Sequence, residues 1–352
     1  MSQAEKKRKH RNIPIFIPHL GCPNQCVFCN QHSISGCGDF HEEQVRAQIE
    51  QGLARITADA SDVEIAFFGG SFTGIDRALM CRLLSLAREY VERGRVGGVR
   101  VSTRPDYISD EILNLLAEAH VHHIELGLQS MDERVLLAAR RNHTVKDAEL
   151  ACKKIVSRGF SLTGQMMIGL PEASPESEMM TAKKICELGA ESARIYPTVV
   201  FRDTPLCEMT ERGEYTPLSL FEAVSRSANA YEILEEAGVS CIRIGLCATD
   251  ELFSGEHVLA GPTHPALGEL VMSEAYYRRI VRYLTEEDLL GTQVVLEVPK
   301  RELSRAVGPH RENVLRVYQG TGTRIVRIKG VVELDRMRAY RYTQEHPRSG
   351  GS

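Results

Sequence analysis

Short apolar runs alternate with amphipathic stretches through the first two hundred residues. Residues 13–17, 63–68, 99–102, 124–127, 162–168 and 193–196 are the runs. Their length and their Gly, Pro or polar boundaries predict buried strands. Between them, residues 42–56, 77–92, 110–118, 145–157 and 176–188 carry apolar positions at helical spacing. Asp76, Ser109 and Ser174 stand where N-caps are expected. Strand and helix alternating six times predicts a parallel sheet curled into a partial TIM-like (β/α)6 barrel, with chemistry at the C-terminal strand ends.

The pattern then changes. Residues 216–238 predict a helix, 239–245 a further strand, 247–268 a polar loop and 269–284 a helix. The last segment reads strand (292–298), helix (301–307), a turn at Gly308-Pro309, helix (312–319) and strand (324–329). The α/β chain thus divides into a barrel over 13–245, a connecting loop and helix over 246–290, and an α+β cap over 291–342. A basic arm (1–12) and a tail (343–352) flank them and are expected to be disordered.

Composition narrows the function classes. No apolar run is long enough to span a bilayer, and no apolar core follows the basic N-terminus, so a cytoplasmic protein without membrane attachment is expected. Its ten cysteines are then expected to be reduced thiols. Seven stand singly, at 37, 81, 152, 186, 207, 241 and 247, and most sit among apolar residues as small hydrophobes. The net charge of −4 hides an excess of +6 over residues 293–342, where eleven Lys and Arg face five Asp and Glu. Such an excess suits either an anionic partner or a solvated basic face.

The other three cysteines, Cys22, Cys26 and Cys29, lie within eight residues in the loop after the first strand. Thiolates this close suit zinc or an iron–sulfur cluster. A closed zinc site wants a fourth ligand, for which His19, His32 and Cys37 are candidates.

This spacing, with Phe28 just before the third cysteine and a barrel around the loop, resembles the radical S-adenosylmethionine (SAM) superfamily. The resemblance implies that Cys22, Cys26 and Cys29 ligate a 4Fe–4S cluster with one open iron that chelates SAM. An electron, from a donor such as ferredoxin or flavodoxin, then cleaves SAM to methionine and a 5′-deoxyadenosyl radical. No catalytic side chain beyond the ligands is implied.

Further motifs fall at successive strand ends. Phe67-Phe68-Gly69-Gly70-Ser71-Phe72 resembles the superfamily's two-glycine motif, whose backbone meets the SAM amino group. Ser71 stands where Glu is often found. Ser102 and Arg104 end the third strand, Gln129 the fourth, and Gln165 lies on the fifth before Gly169-Leu170-Pro171. The oxygen-independent coproporphyrinogen oxidase group carries an Arg-x-His unit matching Arg141 and His143, its Arg implied to pair with the SAM carboxylate. Its Gln matches Gln129, near the ribose. Its Asp is here Gln165, which can also bond a ribose hydroxyl.

The radical core of the Elongator catalytic subunit is a closer resemblance. It rests on residues 102–106 and 141–144, on Tyr196-Pro197-Thr198-Val199-Val200, on Thr204-Pro205-Leu206, and on Gly213, Tyr215 and Pro217. That subunit has a longer first gap between its cysteines and an acetyltransferase domain after its core, for which this chain ends too soon. Its acetyl-CoA-dependent carboxymethylation of wobble uridine therefore does not carry over directly.

The C-terminal order of strand, helix, glycine turn, helix and strand is similar to a KH-like RNA-binding unit. Gly308-Pro309-His310-Arg311 stands at the GXXG loop, with Arg311 in place of the second Gly. Lys300, Arg301, Arg305, Arg311 and Arg316 are the candidate phosphate contacts. The expected function is a radical SAM enzyme modifying an RNA base, in tRNA first. A small-molecule substrate such as a porphyrin, or a non-catalytic cluster or haem carrier, is the alternative.

Overall fold

The computed structural model describes residues 11–17, 20–22, 26–30, 40–246 and 256–343, in two compact units that divide at residue 265. His19, His32, Cys37, Cys247, the first ten residues and the tail beyond 343 lie outside the described residues.

In the first unit seven parallel strands form one sheet. Their spatial order is β1 (Arg11–Phe16), β2 (Val63–Phe68), β3 (Gly98–Thr103), β4 (Val121–Gln129), β5 (Ser161–Ile168), β6 (Ser192–Pro197) and β8 (Ser240–Ile244). The sixfold barrel expected from the sequence gains a seventh strand. Strand β8 continues the parallel ladder beyond β6, with Ser192 opposite Ser240 and Arg194 opposite Arg243. Strands β1 and β8 are the two edges of this curled, open sheet.

Parallel neighbours need long crossovers, and amphipathic helices supply them. These are α1 (Val45–Arg55), α2 (Arg77–Glu92), α3 (Asp110–Glu118), α5 (Val145–Ser157), α6 (Pro175–Glu187) and α8 (Leu220–Glu236). Met80, Leu83, Leu84, Ala87 and Tyr90 form the buried stripe of α2. Its first turn is capped by Asp76, which accepts from the Leu79 amide at 2.9 Å. Ser109 and Ser174 cap α3 and α6 in the same way.

Two short helices, α4 (Glu133–Ala138) and α7 (Pro205–Glu211), are not crossovers. The stretch read as a polar loop also holds a strand, β9 (Val258–Ala260), paired antiparallel with β7 (Val200–Phe201).

The second unit is α+β. Helix α9 (Leu267–Glu286) is followed by β10 (Gln293–Pro299), α10 (Leu303–Val307), α11 (Glu312–Thr321), β11 (Arg324–Val331) and β12 (Arg338–Arg341). Strand β10 is central, parallel to β11 and antiparallel to β12. Alternation along β10 turns Val294, Leu296 and Val298 towards Tyr276, Ile280 and Leu284 of α9, with Ala306, Val317 and Ile325. At the α10–α11 turn Gly308 has φ +73°, and a Cβ there would lie 2.9 Å from Ser273 Oγ. His310 and Arg311 follow in left-handed conformations, at φ 48° and 64°. No helix among the described residues is long and apolar enough to cross a membrane.

Candidate active site

The cysteine loop is held from two sides. On one side the Val27 amide donates to the Ala139 carbonyl just past α4 (3.2 Å), and the Leu206 amide of α7 donates to the Val27 carbonyl (2.9 Å). Val27 packs with Val135, Leu170, Leu206 and Tyr215, and Phe28 lies partly buried against that cluster. The Cys29 amide closes a turn onto the Cys26 carbonyl at 3.2 Å.

On the other side the loop rests on the turn after β2. A Cβ built on Gly21 would lie 1.9 Å from the Ser71 carbonyl oxygen, and one on Gly74 would lie 2.5 Å from the Gly21 carbonyl oxygen. The two stretches are therefore in backbone contact. Gly69 and Gly70 enter this turn at φ +100° and +151°, conformations that need glycine.

Two guanidinium groups lie beside the thiols. Arg141 donates from Nη1 to Cys26 Sγ (3.2 Å) and from Nη2 to the Gly127 carbonyl (2.7 Å). It thereby ties the cysteine loop to β4. Arg104 holds Asp106 in a bidentate pair at 2.9 and 2.8 Å and sits 5.7 Å over the Tyr107 ring. Although burial opposes it, Asp106 together with the charges of Cys26 and Cys22 keeps the Arg104 guanidinium above its ordinary value.

Five atoms around these groups are buried without a hydrogen-bond partner among the described residues. They are Ser71 Oγ, Gln129 Oε1, Arg141 Nε and both ring nitrogens of His143. Gln129 ends β4 with φ +64°, a left-handed conformation. Among the described residues no three His, Cys, Asp or Glu side chains are gathered closely enough to hold a single metal ion.

Ser102 and Gln165 belong to a different layer. Inside the sheet's curl, Gln165 Nε2 donates to Glu125 Oε2 (3.0 Å) and to Ser102 Oγ (3.4 Å). Arg100 joins Glu64 (2.9 Å) and Glu125 (3.1 Å), Arg194 bonds Glu125 (2.7 Å), and His123 bonds Glu64. The predicted site residues therefore separate. Phe28, Gly69, Gly70, Ser71, Arg104, Gln129 and Arg141 surround the cysteine loop, while Ser102 and Gln165 join this buried ionic network.

The sequence reading passed over the network. Its signal is a polar residue at every second position of strands otherwise apolar, as in Arg100-x-Ser102, His123-x-Glu125 and Arg194-x-Tyr196.

The end of β5 is clamped from behind. Glu178 of α6 accepts from the Gly169 amide and is paired with Arg226 of α8 at 2.6 and 2.8 Å. The Tyr215 hydroxyl donates to the Gly169 carbonyl at 2.6 Å.

Burial, aided by the charge of Arg141, pushes the His143 imidazole down to about 4 from an ordinary 6.5. Between those values the unfolded chain binds the proton and the folded chain does not, so stability rises with pH across that window. Taking wild type from pH 6.5 to 4 costs up to about 3 kcal/mol through this group. Thermal melts across that range should show a shallower fall for His143→Gln.

The chain matches the radical SAM superfamily over residues 16–185 and the radical SAM C-terminal domain over residues 190–279. An uncharacterized protein of Methanocaldococcus jannaschii is 32% identical over 234 residues, 62% of this chain and 70% of that one.

The chain belongs to the radical SAM superfamily.

The superfamily uses a 4Fe–4S cluster and SAM, and this radical SAM enzyme carries its three spaced cysteines in the loop after β1. A tRNA uridine(34) acetyltransferase of Methanocaldococcus infernus is 27% identical over 263 residues, 63% of this chain. The radical SAM chain spans about half the length of such relatives, 49% and 47% for two of them. Its fold overlays that of Methanocaldococcus infernus Elp3 lacking its N-terminus. The TM-score is 0.59 and the identity 22%, over 80% of this chain and 64% of that one.

Proposed function

We propose that Cys22, Cys26 and Cys29 hold the 4Fe–4S cluster, and that this enzyme uses SAM to modify a base in RNA, with tRNA the first substrate. The observation that carries the site is the backbone contact of Gly21 with Ser71, which sets the cysteine loop beside the two-glycine turn. When bound, the cluster and SAM supply reductive cleavage to methionine and a 5′-deoxyadenosyl radical that abstracts hydrogen.

The chain's own residues bind and orient. The donor set suits the cluster, because the three residues are soft sulfur ligands and two of them, Cys26 and Cys22, lie near the positive charge of Arg141 and Arg104. Gly69 and Gly70 present bare backbone for the amino group of SAM. Arg141, with two arms spent on Cys26 and Gly127, keeps Nε for a carboxylate. Ser71 Oγ and Gln129 Oε1 serve as acceptors for the SAM ammonium or ribose hydroxyls. Phe28 walls the site. Ser102 and Gln165 act from below, through the ionic network.

An RNA substrate is supported by the names of the tRNA uridine(34) acetyltransferase relatives and by the basic second unit. Lys300 and Arg311 are exposed there, Arg301 stands loosely by Glu302 at 3.6 Å, and Arg305 is half-buried. Arg316 is the weakest contact of the five, since it pairs with Glu274 at 2.7 Å and stacks 4.0 Å over Tyr277. A tRNA substrate would place the enzyme in the cytoplasm, with a ferredoxin- or flavodoxin-type protein supplying electrons.

Two measurements test this reading. The anaerobically reconstituted and reduced protein should form 5′-deoxyadenosine from SAM. Mass spectrometry of tRNA nucleosides from a deletion strain should lack one modified nucleoside that the restored gene returns. Zinc in place of iron would overturn the first part, and an unchanged nucleoside profile the second.

A further inference from the structure

We propose that Arg243, Arg194 and Tyr196, on β8 and β6 inside the sheet's curl, form a binding site for an oxyanionic group, a phosphate or carboxylate, carried by the substrate.

The strand register brings them together. Arg194 and Arg243 are partners on adjacent parallel strands, so their side chains leave the same face. That face is the interior one, because Arg194 Nη2 reaches Glu125 on β4 at 2.7 Å. Tyr196, two residues along β6, shares it, and its hydroxyl accepts from Arg194 Nη1 at 3.2 Å. The charge of Arg243 also acts on that hydroxyl.

The hydrogen-bond accounting then fails to close. Glu64 is engaged by His123 and Arg100, and Glu125 by Arg100, Arg194 and Gln165. Both carboxylates of the network are thus engaged through both oxygens. Three donor groups remain. Among the described residues, Arg194 Nε is buried without a partner, the Tyr196 hydroxyl hydrogen has no acceptor, and the Arg243 guanidinium has neither ion pair nor hydrogen bond. Native interiors seldom leave several donors unmatched in one place.

Counting charges gives the same answer. Arg100, Arg194 and Arg243 outnumber Glu64 and Glu125 by one. Two guanidinium forks and a phenol hydroxyl are donors only or donors first, which selects an acceptor-rich anion. Burial raises the Tyr196 phenol, so it stays protonated as a donor.

The position suits a substrate. Arg243 lies half-buried on an edge strand. Arg194 sits 5.6 Å over the ring of Phe68, the residue that leads into Gly69-Gly70. An anion held here would fix the orientation of a molecule reacting near that turn. That the anion belongs to the substrate rests on the radical SAM reading above; that these donors bind an anion does not.

Inorganic phosphate is the probe, titrated calorimetrically into the full-length protein with and without SAM. Wild type should bind it saturably. Arg243→Gln should weaken binding at least about tenfold, as expected for a lost charge-assisted pair. Tyr196→Phe should weaken it a few-fold, and Arg93→Gln, an equal change of charge on an exposed residue, should leave it unaltered. Should Arg243→Gln fold poorly, Arg243→Lys keeps the charge but loses the fork and should give an intermediate loss. Absence of phosphate binding, equal binding by Arg243→Gln, or displacement of phosphate by SAM would each overturn the proposal. The last would mean that the donors serve the carboxylate of SAM itself. Arg243-dependent binding alongside unchanged tRNA nucleosides would leave this site standing and remove the RNA reading alone.

Discussion

Cys26→Ala protein, reconstituted anaerobically and reduced, forms no 5′-deoxyadenosine from SAM, whereas the unaltered chain forms it readily. Cys26 is the buried member of the three cysteines, and it accepts a hydrogen bond from Arg141. Alanine removes one of three soft ligands, and two thiolates hold an iron cluster poorly. It also leaves a guanidinium arm without its acceptor beside a carbonyl that still fixes the other arm. The loss should exceed the roughly 10- to 100-fold that altering an outer-shell partner of a metal site costs. Iron and sulfide analysis should show the cluster absent while circular dichroism shows the barrel intact, since the sheet's core lies elsewhere. Substantial 5′-deoxyadenosine from Cys26→Ala would remove the three cysteines from the site.

Much of this geometry was legible before any fold was known, and the remainder was hidden for identifiable reasons. Helices α2, α3 and α5 fall on the predicted residues, because each carries a full apolar stripe, and Asp76 and Ser109 cap two of them. Helices α4 and α7 were missed. At six and seven residues they are too short for periodicity to register, yet their backbones hold the cysteine loop. Strand β12, Arg338–Arg341, was missed because two of its four residues are arginines; it is stabilised from across the sheet, where Arg338 and Tyr340 bond Glu297.

The ionic network inside the barrel was hidden more deeply. The bonded partners among Glu64, Arg100, Glu125 and Arg194 are 25 to 69 residues apart in sequence, and only the strand register makes them neighbours. Burying such charges is tolerable only once all partners are in place. Gln165 shows the consequence. A family motif places it at the ribose, while its amide is already committed to Glu125 and Ser102. Tyr215 shows the reverse. It stood in the sequence as an unexplained part of a Gly-x-Tyr-x-Pro unit, and its hydroxyl proves to fix the carbonyl of Gly169.

Gly21→Ala should fold, lose its iron and lose 5′-deoxyadenosine formation by at least about a hundredfold, the cost of misplacing reacting groups by an ångström. The new Cβ would lie 1.9 Å from the Ser71 carbonyl oxygen and 2.9 Å from the Ile75 amide nitrogen, both of them backbone atoms. No flexible side chain is there to yield, so one of the two segments must move. The turn after β2 is the better anchored. The Gly74 amide bonds the Ser71 carbonyl at 3.0 Å, and Thr73 Oγ1 is tied to Thr103 at 2.6 Å and to the Tyr107 carbonyl at 3.0 Å. The displacement therefore falls on the loop, and Cys22 is the next residue along it. Gly94→Ala separates this effect from general glycine strain. Gly94 has φ +65° with nothing within 4 Å of its Cβ, so alanine there costs about 1–2 kcal/mol of backbone strain and should leave iron content unchanged. Equal iron retention by both variants would show that the contact between the cysteine loop and the two-glycine turn does not position the ligands.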